Sequence, residues 1–152
     1  MFRTTVSTRI AIILMFYMLI LVFAGCSKFD TDVSIVKNGV LDIDKSLTVG
    51  QAFSSYKYFK NKTWKATKDI QGRRFVTFKG VFDTDLIEVQ TQLDKQGIKS
   101  VTFEFQFLIN ADNTIVEGNH HWETVKLDGA KGVFESGPAD GMLSEIYRNQ
   151  LI

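Results

Sequence analysis

The stretch "VTFEFQFLIN", Val101 to Asn110, constrains the fold more than any other part of the chain. Val101, Phe103, Phe105, Phe107 and Ile109 alternate with Thr102, Glu104 and Gln106. Successive side chains of a strand leave on opposite faces, so this segment makes one apolar face and one polar face. It therefore needs strands beside it and an apolar layer over one side. With 152 residues, one Pro and 45% hydrophobic residues, the chain holds enough apolar material for one modest core. Its single cysteine cannot form an internal disulfide, so that core must hold by packing.

The flanking segments supply the rest of the layer. Thr48 and Gln51 have capping-box spacing, and Val49, Ala52, Phe53, Tyr56 and Phe59 follow at helical intervals. "TWKATKDIQGRRFVTFKGVFD" reads as a hairpin that turns at "DIQG", with Gly72 free to take a positive φ. Val76, Phe78 and Phe82 share one face of its second strand. Gly80 interrupts that row and marks either a bulge or the close approach of the Thr48 helix. Residues 84–97 fit two elements. Leu86, Val89 and Leu93 suit a helix capped by Asp85 and Glu88 and stopped at Gly97, whereas Ile87, Val89, Thr91 and Leu93 suit a strand; the helix is favoured. "NADN" turns the chain, and Thr114 to Val125 should return antiparallel. Pro138 stands near the start of a last helix bearing Met142, Leu143, Ile146 and Tyr147. The expected fold is α+β, an antiparallel sheet of about four strands packed with an N-terminal and a C-terminal helix.

The first residues have a different logic. Arg3 and Arg9 precede an uncharged run, Ile10 to Phe23, that is shorter than the about 20 residues a spanning helix needs. Ala24, Gly25 and Cys26 follow. Basic start, apolar run, small pair and cysteine resemble the lipobox of bacterial lipoproteins, although Phe23 replaces the Leu usual at its first position. The resemblance implies cleavage between Gly25 and Cys26 and attachment of diacylglycerol, with a further acyl group such as palmitate, to Cys26. It also implies a cell-envelope location, facing the periplasm from the outer membrane in a two-membrane cell, because Ser27 replaces the Asp that commonly retains such proteins at the inner membrane. Residues 1–25 are then a signal peptide, 26–33 a short acylated tether and 34–152 one globular domain. Removing Arg3 and Arg9 lowers the formal charge from +1 by two, to −1. Over the mature chain, "LTVGQAF" and "QGRRFVTFKG" loosely resemble the small envelope lipoproteins of outer-membrane assembly and the β-lactamase-inhibitor-like fold. There a helical start precedes a short antiparallel sheet, and the extra C-terminal helix is a departure.

Chemistry is sparse. The sequence lacks G-x-S-x-G, a P-loop, H-E-x-x-H and paired redox cysteines, so no enzyme activity and no cofactor are expected. The closest approach to a metal pair is His121 with Glu123, which share a strand face with Glu117 and Asn119 if the strand is regular. A transition-metal site wants three or four converging ligands, so a solvated polar face is expected instead, with His120 packed near Trp122. Lys57, Lys60, Lys62, Lys65, Arg73 and Arg74 cluster around Trp64 with Asp69 as the only nearby acid. A basic, aromatic strip of this kind fits an acidic protein partner or an anionic headgroup, and an exported chain meets little nucleic acid. The expected role is a non-catalytic binding or assembly accessory that touches the membrane through Cys26 and another envelope protein through that strip. The alternative is a small-ligand or inhibitor-type binding module, and a small envelope enzyme ranks behind both.

Overall fold

A computed structural model describes residues 27–138 and 140–152. Helices α1 (Ser27–Asn38) and α2 (Val49–Ser55) lead into strands β1 (Phe59–Lys68) and β2 (Arg74–Phe82). Helix α3 (Ile87–Lys95), strands β3 (Ile98–Ile109), β4 (Ile115–Lys126) and β5 (Lys131–Pro138), and helix α4 (Asp140–Arg148) follow. The strands form one antiparallel meander in the order β1-β2-β3-β4-β5. The α+β class is as expected, with five strands where about four were anticipated. The additional strand is β5, which contains Gly132 and ends on Pro138. Its place at the sheet edge tolerates a residue without an N–H.

The β3 alternation is buried as the sequence requires, with Phe103, Phe105 and Phe107 fully enclosed and Thr102, Glu104 and Gln106 on the open side. Over the enclosed face, Phe53 of α2 meets Trp64, Phe78 and Phe107 edge-on, at centroid separations of 5.6, 4.6 and 5.8 Å. Phe59 lies nearly parallel to Phe103 at 5.5 Å. Aromatic pairs of this kind add about 0.5–1.5 kcal/mol each beyond the area they bury. Gly80 admits that ring, because a Cβ there would lie 2.8 Å from Phe59. Gly80 lies opposite the two extra-spaced residues of β1, Asn61 and Lys62, so it does mark a bulge, one of the two expected causes; the crowding comes from Phe59 and Phe78 and not from the helix behind Thr48. The capping box is present, with Thr48 Oγ1 accepting from the Gln51 N–H and Gln51 Oε1 from the Thr48 N–H. Gly72 and Gly97 take positive φ, as expected of a turn and a helix stop.

Three local readings change. The run expected to be a tether is helical from Ser27 onward. Asp32 and Val36 are one turn apart and both buried, and Asp32 Oδ1 accepts from Nε and Nη2 of Arg74 at 3.0 and 2.6 Å. Residues 84–97 contain a helix, but its N-cap is Leu86, with no side-chain hydrogen bond. The Asp83 carboxylate takes the Asp85 N–H, and Glu88 turns to Lys57, so the expected Asp85–Glu88 cap pair is absent. Finally, the apolar spacing from Val49 to Phe59 crosses an element boundary. α2 ends at Ser55 and Phe59 opens β1, yet all five side chains reach the same core.

Candidate functional site

The basic strip is broken up by two features of β1. A bulge at Asn61–Lys62, where Asn61 takes φ 52°, inserts one residue into the pairing with β2. This returns Trp64 to the core face and swings Lys62 back over α2. Lys62 Nζ there donates to the carbonyl oxygens of Ser54 and Tyr56 at 2.7 and 2.6 Å. The lysine therefore closes the end of a helix, where backbone carbonyls lack partners, and burial lowers its pKa. Lys57 bonds Glu88 and covers the Tyr58 ring at 4.5 Å, and Lys60 pairs with Asp83 at 3.2 Å. Arg73 pairs with Asp69 at 2.6 Å, and Arg74 is taken by Asp32 and Asn113. Lys65 stays exposed on the strand. Most of the cations that look unopposed in sequence meet acids from α1, the β1–β2 turn, α3 or the segment before α3. Trp64 belongs to the core, with Lys37 above its ring.

The histidine pair sits on β4 around a second irregularity. Phe105 pairs with His120 but Phe107 with Glu117, so one extra residue lies at Gly118–Asn119. Gly118 is required there, because a Cβ would collide with the carbonyl oxygen of Gln106. The bulge changes parity, so the expected common face of Glu117 with His121 and Glu123 does not form. Glu117 joins the core side with His120 and Trp122, where Tyr147 packs. Burial, then the charges of Glu117 and Asp44, push the Tyr147 hydroxyl up to about 12. Burial, helped by His121, lowers the His120 pKa. On the open face Lys79, Glu104 and His121 stand in one register row, with Lys79 Nζ 2.7 Å and His121 Nε2 3.3 Å from the Glu104 carboxylate. Glu123 follows two residues on. Among the described residues, no three His, Cys, Asp or Glu side chains converge as a metal site would require.

A largely apolar concavity contains none of the candidate site residues read from the sequence. It lies between α3 and the enclosed face of the sheet, where β2 ends and β3 begins, with a volume of about 320 Å³. Phe82, Val89, Leu93, Val101 and Trp122 wall it, Gln92, Gln96 and Thr124 supply its polar atoms, and Leu151 and Ile152 close one side. Trp122 is held flat against Phe82 at 5.6 Å. Gln92 of α3 and Gln96, the residue that caps its C-terminus, lie four residues apart and are both exposed. The helical spacing of Val89 and Leu93, with a glutamine pair at the same interval, was the available sequence signal. Nothing in sequence showed that α3 would stand off the sheet. Gly25 and Cys26 lie outside the described residues. No described helix is long and apolar enough to cross a membrane.

No protein-family model, no curated protein and no solved structure matches the chain, so a functional reading must rest on its own residues.

Proposed function

We propose that the chain is a lipid-anchored cell-envelope protein that works by binding and performs no catalysis. Its lipid is carried by Cys26, and its role is accessory to another envelope protein. The observation that supports a membrane-held role is the short, stiff join between position 26 and the folded body. α1 begins at Ser27, and the Asp32–Arg74 pair clamps it to β2 only about 8 Å further along the helix axis. A lipid on Cys26 would hold the domain directly at the bilayer surface, and two or three acyl chains make such attachment durable. Ser27 after the cysteine favours the outer membrane, facing the periplasm.

The small-ligand reading is favoured by one observation, the apolar cavity under α3, whose lining side chains include neither an acid nor a base. Both readings share the anchor, which Cys26→Ser tests. The variant should lose palmitate labelling and move from the membrane to the soluble fraction, and unchanged membrane extraction would overturn the assignment. Crosslinking in intact membranes separates the accessory role from the small-ligand role. Repeated recovery of one envelope protein supports the first, and turnover of an envelope substrate would defeat both.

A further inference from the structure

We infer that the cavity under α3 binds an uncharged amphiphile with a single alkyl chain and a hydroxyl-type head. This deepens the binding reading above and rests on it. Size comes first. An apolar cavity of about 150 Å³ is enough for benzene, so 320 Å³ accommodates roughly twice that many carbons in one chain. The walls come next. Phe82, Val89, Leu93, Val101 and Trp122 present carbon, and no charged side chain lines the space. A carboxylate or ammonium drawn inside would lose its hydration with no partner in return. The head must therefore be neutral. Gln92 and Gln96 stand on the solvent side of the lining, and each amide offers both a donor and an acceptor. That suits a hydroxyl, which also donates and accepts. The flat Trp122 ring gives the chain a broad contact surface.

The proposed occupant is a free molecule and not the lipid of Cys26. Asp32 of α1 is clamped to Arg74, which pairs with Ile109, whereas the cavity lies by Val101. Those two ends of β3 are about 26 Å apart along the strand. That separation favours a ligand drawn from the surroundings.

The experiment uses the full chain in phosphatidylcholine vesicles, photolabelled with a diazirine-bearing dodecan-1-ol or with the matching dodecanoate. Labelled peptides are then identified by mass spectrometry. The alcohol should mark α3 and the peptide containing Trp122, and should do so more strongly than the dodecanoate. Leu93→Trp, which fills the cavity, should cut that labelling about tenfold. Gln96→Lys changes an exposed residue, leaves the fold intact and places a cation at the mouth. It should raise labelling by dodecanoate about threefold relative to the alcohol, the scale of a solvent-exposed ion pair. Labelling that spares the peptides lining the cavity, or that is equal for both probes in both variants, would overturn the inference. So would a marked gain of cavity labelling in Cys26→Ser, which would identify the chain's own lipid as the occupant that had kept the probe out. Membrane attachment is read separately by fractionation, so a failed ligand and a failed anchor give different results.

Discussion

Helices α2 and α3 cover the same face of the same sheet, and only one of them is well fixed. α2 has seven residues, including a glycine and two serines that disfavour helix, yet its start is closed by the Thr48–Gln51 box and its end by Lys62. Val49, Ala52 and Phe53 are fully buried. α3 has nine residues with better intrinsic propensity, no side-chain cap, and only Val89 and Leu93 buried, while Ile87 is 75% exposed. The cavity lies under the second helix. Length and propensity would rank the two in the opposite order. Caps and interdigitated rings decide the matter, because helices this short draw most of their stability from packing.

Truncation of the buried anchor of each helix should separate them most clearly. Phe53→Ala removes a ring that touches Trp64, Phe78 and Phe107, and should cost about 3–5 kcal/mol in denaturant unfolding. Leu93→Ala removes a side chain that already borders open space, and its cost should fall near the low end of such changes, about 2 kcal/mol. Equal losses would mean that α3 packs as tightly as α2 and that the cavity is closed in solution.

A smaller effect compares the helix starts. Thr48→Ala removes the hydroxyl that accepts from Gln51 and should cost about 1 kcal/mol, with faster hydrogen exchange concentrated in α2. Asp85→Ala, at the start of α3, removes only an exposed contact to Lys60 at 3.7 Å and should change stability by less than about 0.5 kcal/mol. A larger loss at Asp85 would show that α3 has a cap after all.

The cap at Thr48 was legible because its partner lies three residues away, and the β3 core was legible because alternation survives without long-range information. The Asp85–Glu88 spacing has the same form as a cap, yet tertiary contacts overrode it when Glu88 met Lys57. The bulges at Asn61–Lys62 and Gly118–Asn119 each shift the facing of later residues by one. That shift is why Trp64 left the expected binding strip and Glu117 left the expected face. Lys62, Arg73 and Arg74 looked like a free basic surface because their partners are a helix end, a turn and a different helix. For the candidate site, the sequence held the apolar spacing of α3. The gap beneath it depends on how far Trp122 and Phe82 fill the space, which no local pattern encodes.

The smallest effect concerns the end of the sheet where β4 carries His120. Its ring is buried beside Phe103 and Trp122, and burial holds its pKa below that of a free imidazole. The unfolded chain then binds one more proton than the folded chain once pH drops below about 6.5. This contribution is complete above that pH and is lost as pH falls from there through the folded-state pKa. Asp44, Asp83, Glu88 and Asp112 are also held below their ordinary values, each chiefly by a hydrogen bond, but their contributions are lost only below about pH 4. The imidazole window opens at higher pH than the carboxylate window. His120→Phe should therefore flatten the decline in unfolding free energy that begins as pH falls below about 6.5 and leave the steeper acid limb in place. Hydrogen exchange should place the wild-type loss in β4 and not in α2, whose caps carry no group that titrates in that range. An unchanged slope in the variant would mean that the imidazole binds its proton equally in the folded and unfolded chain, so that burial does not depress its pKa.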